Sequence, residues 1–205
     1  LAAQRKLGNR LGIARLQGEL ADLALEAGDL ATVKALSDEE IQTGEETGAR
    51  GIFASGLRHR GLYRLATGDL DGAQEALGES FRESSALGAL QDAMRARLDL
   101  AAVSIAQNRY LEALHQAQTA AEWFKARGMV DSETEADSLR AEALMGLGRT
   151  VEAGRTAERA RAALRKSEDH LLRLKLTPRL ARISLLRPSM NLGGLVSGPA
   201  DLKGS

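Results

Sequence analysis

Residues 62–73, LYRLATGDLDGA, read as the end of one helix, a turn at Gly68-Asp69 and the start of a second helix. A glycine there can take the left-handed conformation that closes a helix C-terminus without a Cβ penalty. Asp69, next in line, suits the cap of the following helix, because a carboxylate there accepts backbone N–H bonds and faces the positive end of the dipole. The same signal recurs at LALEAGDLATV (23–33), AVSIAQNRYLEA (102–113) and ALMGLGRTVEA (143–153). Gly28, Gly68 and Gly148 thus fall on one lattice, with Asn108, the next best residue for a left-handed turn, in its remaining slot. A second series holds Gly8, Gly48, Gly88 and Gly128. The period is 40 residues with a half-period of 20, and a repeat of that length signals a solenoid.

Between the turns the apolar residues keep helical spacing. Ile13, Leu16, Leu20, Leu23 and Ala27 form one such series, Met94, Leu98, Ala101 and Ile105 another, and Ala136, Leu139, Ala143 and Leu147 a third. The pattern predicts A helices over 11–27, 50–67, 90–107, 132–147 and 169–186, and B helices over 30–46, 70–86, 110–126 and 150–166. About 17 residues make a helix of roughly 26 Å, and three-residue connections force neighbours to pack antiparallel. The expected organisation is an array over 11–186, divided at 11–48, 49–88, 89–128 and 129–168 with a capping helix at 169–186. Leu1 to Lys6 read as the last turn of a preceding helix ending at Gly8, so residues 1–10 are expected to be the end of a unit in a longer array. From 187 to 205 the periodicity gives way to Gly, Pro and Ser, and a flexible tail is expected.

Small residues sit at fixed offsets from each turn. Five positions after it stand Val33, Ala73, Ala113 and Ala153, and seven before it Ala21, Gly61, Ala101 and Ala141. Small side chains there let paired helices approach closely. Helix pairs with a Gly-Asp turn and this pattern of small residues resemble the tetratricopeptide repeat, over about residues 8 to 186. The resemblance implies an all-α, right-handed solenoid superhelix of antiparallel helix pairs, about nine helices in all. The chain departs from the family in lacking its usual aromatics and terminal proline, and in placing Arg60 and Arg140 where a buried Leu is common. The 40-residue spacing is similar to the extended arrays attached to bacterial signalling proteins such as serine/threonine kinases, MalT-like activators and winged-helix regulators.

If the family's groove-lining positions carry over, they fall on Ser55, Arg58, Leu62 and Leu65 in the second repeat, and on Arg95, Leu98, Ala102 and Ile105 in the third. In the fourth they fall on Glu135, Ser138, Glu142 and Met145. An apolar strip with a basic rim would take an amphipathic helix or extended segment bearing acidic residues. The competing reading buries several of these apolar residues between helices A and B.

Catalytic and metal chemistry find no constellation. His59, His115 and His170 lie on three different repeats, no cysteine occurs, and there is neither a paired-histidine motif nor a phosphate-binding glycine loop. Glu39–Glu40 and Glu45–Glu46 read as solvated helix surface. No catalytic residue, metal or cofactor is expected. Lys plus Arg and Asp plus Glu both number 28, which removes the basic balance of a dedicated nucleic-acid binder. The balance is uneven: residues 1–148 hold 16 basic and 23 acidic residues, and 149–187 hold 11 and 4. No stretch is apolar enough to span a bilayer, and a cysteine-free chain fits a reducing cytosol. The expected function is a non-enzymatic, cytoplasmic scaffold binding a protein or peptide, with no nucleic acid or membrane partner. The alternatives are a ligand-sensing domain controlling an attached output domain, and weak self-association through the oppositely charged ends.

Overall fold

A computed structural model describes residues 2–185, which form nine helices and no strand. In order they are α1 (Ala2–Ala27), α2 (Leu30–Thr47), α3 (Arg50–Thr67), α4 (Leu70–Ala86), α5 (Leu90–Ala106), α6 (Tyr110–Lys125), α7 (Val130–Gly146), α8 (Thr150–Leu164) and α9 (His170–Leu185). Each packs on the next, and α1, α3, α5, α7 and α9 also touch one another in succession. Those odd-numbered helices therefore form the inner layer of the curve, with the even-numbered helices outside. The chain is an all-α solenoid.

The turns work as the sequence demands. Gly28, Gly48, Gly68, Gly88, Gly128 and Gly148 all have positive φ, and so does Asn108, at 59°. At Gly68 the N–H bonds to the Leu65 carbonyl at 3.2 Å and the Asp69 N–H to the Arg64 carbonyl at 2.9 Å, which satisfies two of the orphan acceptors at the helix end. Asn108 repeats this, its N–H reaching Ile105 and that of Arg109 reaching Ser104. Asp29 and Asp69 accept N–H bonds from Thr32 and Gly72, at 3.1 and 3.0 Å.

The seam between paired helices is made of small residues. Ala21, Val33, Ala73, Ala101, Ala113, Ala141 and Ala153 are each 0% exposed. A Cβ on Gly61 would lie 2.5 Å from Leu77 Cγ, and one on Gly44 would lie 2.6 Å from the Phe53 backbone nitrogen. Larger seam residues would drive the helices apart. Around the seam, larger side chains fill the remaining space, among them Leu77, Val103, Phe124, Leu176 and Leu180.

Two expectations change. Gly8 lies inside α1 instead of ending a helix, and residues 2–10 continue into the array. An interior glycine costs only about 1 kcal/mol against alanine, and no earlier helix among the described residues offers a surface on which a reversed segment would pack. Secondly, Ile13, Leu16, Leu20 and Leu23 are between 53% and 60% exposed. The buried face of α1 is the opposite one, with Ala14, Gly18, Ala21 and Ala24, because α2 and α3 approach more closely than leucines allow. The helix expected over 169–186 is present as α9, with Pro178 inside it. The N–H it lacks would have met the carbonyl of Leu174, a residue 73% exposed. The tail expected over 187–205 lies outside the described residues.

Candidate partner-binding groove

A groove of about 830 Å³ crosses the inner layer. Asp22, Leu25 and Glu26 line it from α1, Arg58, Leu62, Leu65 and Ala66 from α3, and Arg95, Leu98 and Asp99 from α5. Asp131, Ser132 and Glu135 contribute from α7, while Asp169, Leu172, Leu174 and Lys175 come from the start of α9. Residues 22–26 lie at the C-terminal end of α1, whereas 131–135 are the first turns of α7. Since the odd helices all run in the same direction, the groove is oblique to them.

That slant sorts the residues expected to line it. Arg58, Leu62, Leu65, Arg95 and Leu98 do, as does Glu135. Leu98 is only 4% exposed and belongs to the seam beneath, as the competing reading has it, and Phe124 of α6 backs the floor at 0%. Ala102, Ile105, Glu142 and Met145 lie off the groove. Ala102 and Ile105 pack on the Leu98–Phe124 cluster, and Met145 on the cluster of α7, α8 and α9. Glu142 receives Arg179 at 3.1 Å and Arg182 at 4.0 Å. Ser55 donates to Glu40 at 2.9 Å, and Ser138, 0% exposed, donates to the Glu135 carbonyl at 2.7 Å. A constant register in every repeat places lining residues correctly only where the diagonal happens to cross it. Of the residues this missed, Asp22 and Leu25 hold the registers of Leu62 and Leu65 in a first repeat with no lining positions assigned, while Glu26, Asp131 and Asp169 fall outside those registers.

Beneath the α1–α3–α5 part of the groove runs a polar network. His59 is 2% exposed and Glu40 1%. The imidazole Nδ1 lies 2.6 Å from Glu40 Oε2 and its Nε2 3.3 Å from Asp22 Oδ1. Arg58 donates to Asp99 at 2.6 Å and to Asp22 at 3.2 Å. Burial by itself pushes the His59 pKa down, but the hydrogen bonds to Asp22 and Glu40 and the Glu40 charge outweigh it and raise it to about 9. His59 is thus an imidazolium at neutral pH, with both ring N–H groups donating to carboxylates. Burial pushes Asp22 up, yet its bond to His59 and the Arg58 charge hold it down at about 2. Asp99 is raised, burial outweighing the attraction of Arg58. Glu40 is consequently not the solvated residue its pairing with Glu39 suggested. An i−1 neighbour faces a different side of the helix, and Glu40 turns inward to meet His59.

The rim is not basic. The lining holds six carboxylates, Asp22, Glu26, Asp99, Asp131, Glu135 and Asp169, against three cations, Arg58, Arg95 and Lys175. Arg58 is held between Asp22 and Asp99, and Lys175 pairs with Glu135. The repeat-wise series Arg58 and Arg95 signals a basic strip only while the carboxylates brought in by neighbouring helices are unseen.

The basic segment 149–187 is partly neutralised as well. Arg149 pairs with Glu152, Arg161 with Glu158, and Arg159 with Asp137. Arg60 and Arg140 escape the helix seam by turning to Asp38, at 2.9 Å, and Asp137, at 3.3 Å. His115 and His170 are exposed, and among the described residues no group of three His, Cys, Asp or Glu side chains is placed to hold a metal ion. No helix among them is long and apolar enough to cross a membrane. No protein-family model matches the chain, and no curated protein matches it either.

Proposed function

We propose that this chain is a non-enzymatic scaffold of the tetratricopeptide type that holds a segment of another protein in its concave groove, as the interaction part of a larger bacterial signalling or regulatory protein of the cytoplasm. The observation that carries this reading is the groove itself, open to solvent along an inner layer of five helices and floored by half-buried Leu25, Leu62 and Leu65. Half-buried leucines in a concave strip have apolar area left to lose on contact, at about 25 cal/mol per Å². A stacked array offers that strip as a template held by nearest-neighbour packing.

Selection of displayed peptides on the chain tests this. Enriched sequences should lose at least tenfold in affinity on a variant with Leu62→Ser and Leu65→Ser that keeps its helical circular dichroism. Peptides that bind both forms equally would remove the groove from consideration.

A second reading is favoured by the groove's course across all five inner helices. An occupant that bridges α1 to α9 is sensitive to the curvature of the array, as a ligand sensor coupled to an output domain requires. In that case a small molecule, and no peptide, raises the melting temperature in proportion to the logarithm of its concentration.

A further inference from the structure

We infer that the groove's occupant is a cationic, leucine-bearing segment of a partner protein, with apolar side chains on the Leu25–Leu62–Leu65 strip and lysine or arginine reaching Glu26 on one side and Asp131 on the other. This inference rests on the docking role proposed above and specifies its chemistry. The decisive feature is which charges are already satisfied within the fold. Asp22 and Asp99 share Arg58, and Glu135 holds Lys175. Glu26 and Asp131, both exposed, have no ion-pair partner among the described residues, and among these residues the Asp169 carboxylate accepts only the N–H of Leu172, at 2.9 Å. Arg95 is the single lining cation with no carboxylate partner among the described residues. Three unmatched carboxylates around an apolar floor therefore face one unmatched cation.

An acidic segment entering this groove would meet like charge at both ends, and a cationic one would meet opposite charge with its apolar residues still covered. Charge of this kind steers encounter and selects among partners more than it adds affinity, so its mark is discrimination between otherwise equal ligands. The apolar strip limits the class further, since a polybasic segment without leucines would leave it wet.

Two labelled synthetic peptides of identical leucine pattern, one carrying lysine and the other glutamate at the intervening positions, make the test by fluorescence anisotropy on the whole chain. The lysine peptide should bind at least tenfold tighter than the glutamate peptide, and more weakly as salt is raised. Glu26→Gln with Asp131→Asn should cost it about tenfold, an estimate of a few-fold for each partly exposed pair. A control with Glu45→Gln and Glu75→Gln, exposed residues of the outer helices, should bind as the parent does. Preference for the glutamate peptide, or equal losses in the groove and control variants, would overturn the charge inference. If binding nonetheless falls with Leu62→Ser and Leu65→Ser, the docking reading survives that result. Binding indifferent to the serine substitutions as well would overturn both. Serine is used there because added aspartate would itself attract the lysine peptide.

Discussion

Raising the pH from 6 to 9.5 should remove about 3 kcal/mol of folding stability through one buried side chain, His59. Its pKa moves from 6.5 to about 9 on folding, against the cost of burial, because Asp22 and Glu40 accept from its two ring nitrogens. A folded-state pKa above the unfolded one means that the native protein binds the proton more tightly. The stabilisation is therefore complete below about pH 6.5 and disappears as the pH climbs through 9. At 1.36 kcal/mol per unit, 2.5 units correspond to about 3 kcal/mol, and His59 is buried enough for that conversion to apply. For a chain of this size the melting temperature should fall by about 6–12 °C over the interval. Urea unfolding followed by far-ultraviolet circular dichroism at half-unit pH steps gives the slope. His59→Gln, which carries no titrating proton, should flatten it and start from a lower stability at pH 6, where Glu40 is left buried without its cation. Equal slopes in parent and variant would refute the reasoning, as would a parent whose stability is unchanged between pH 6.5 and 9.

Other substitutions separate close packing from open surface. Gly44→Ala would press a methyl group against the Phe53 backbone, which has no rotamer to yield, and should cost about 2–3 kcal/mol in chemical denaturation, while Gly12→Ala, with nothing within 4 Å, should gain about 0.5–1 kcal/mol. Leu77→Ala empties a fully buried site between α3, α4 and α5 and should cost about 2–5 kcal/mol. Leu16→Ala on the exposed stripe of α1 should stay within about 0.5 kcal/mol, measured in the same titration. Arg58→Gln strands Asp99 in a mostly buried position and should cost about 3 kcal/mol, a loss that Arg58→Leu with Asp99→Leu together should largely recover in a double-mutant cycle.

Periodic features of the fold were legible because their causes are local. A left-handed residue after each of the first seven helices, a carboxylate that caps α2 and α4, and a small residue where two helices cross are each decided within a few positions of the turn. Asn108 could be placed with the glycines on that basis alone. Features set by more than one repeat were not legible. The slant of the groove, which passes from the C-terminal end of α1 to the first turns of α7, is a property of stacking, and it removed Ala102, Ile105, Glu142 and Met145 from the strip. Asp22 and Asp99 stand 36 and 41 residues from Arg58, and only their convergence cancels its charge. The exposed face of α1 failed for a related reason. Hydrophobic spacing identifies a helix face, but which face turns inward depends on how closely its neighbours approach.

A seam of alanines has a weakness that the polar network addresses. Val33, Ala73, Ala113 and Ala153 occupy equivalent positions in successive pairs, so small-residue contacts alone distinguish one repeat from the next only slightly. The bonds of Arg58 to Asp22 and Asp99, and of His59 to Glu40, tie α1, α2, α3 and α5 together in one arrangement. A sliding or skipped repeat would leave those charges buried and unpaired, at several kcal/mol each. The same pairing consumes the positive charge of Arg58, which is what leaves the mouth of the groove to Glu26 and Asp131. The requirement for a unique stack and the preference for a cationic partner thus follow from the same arginine.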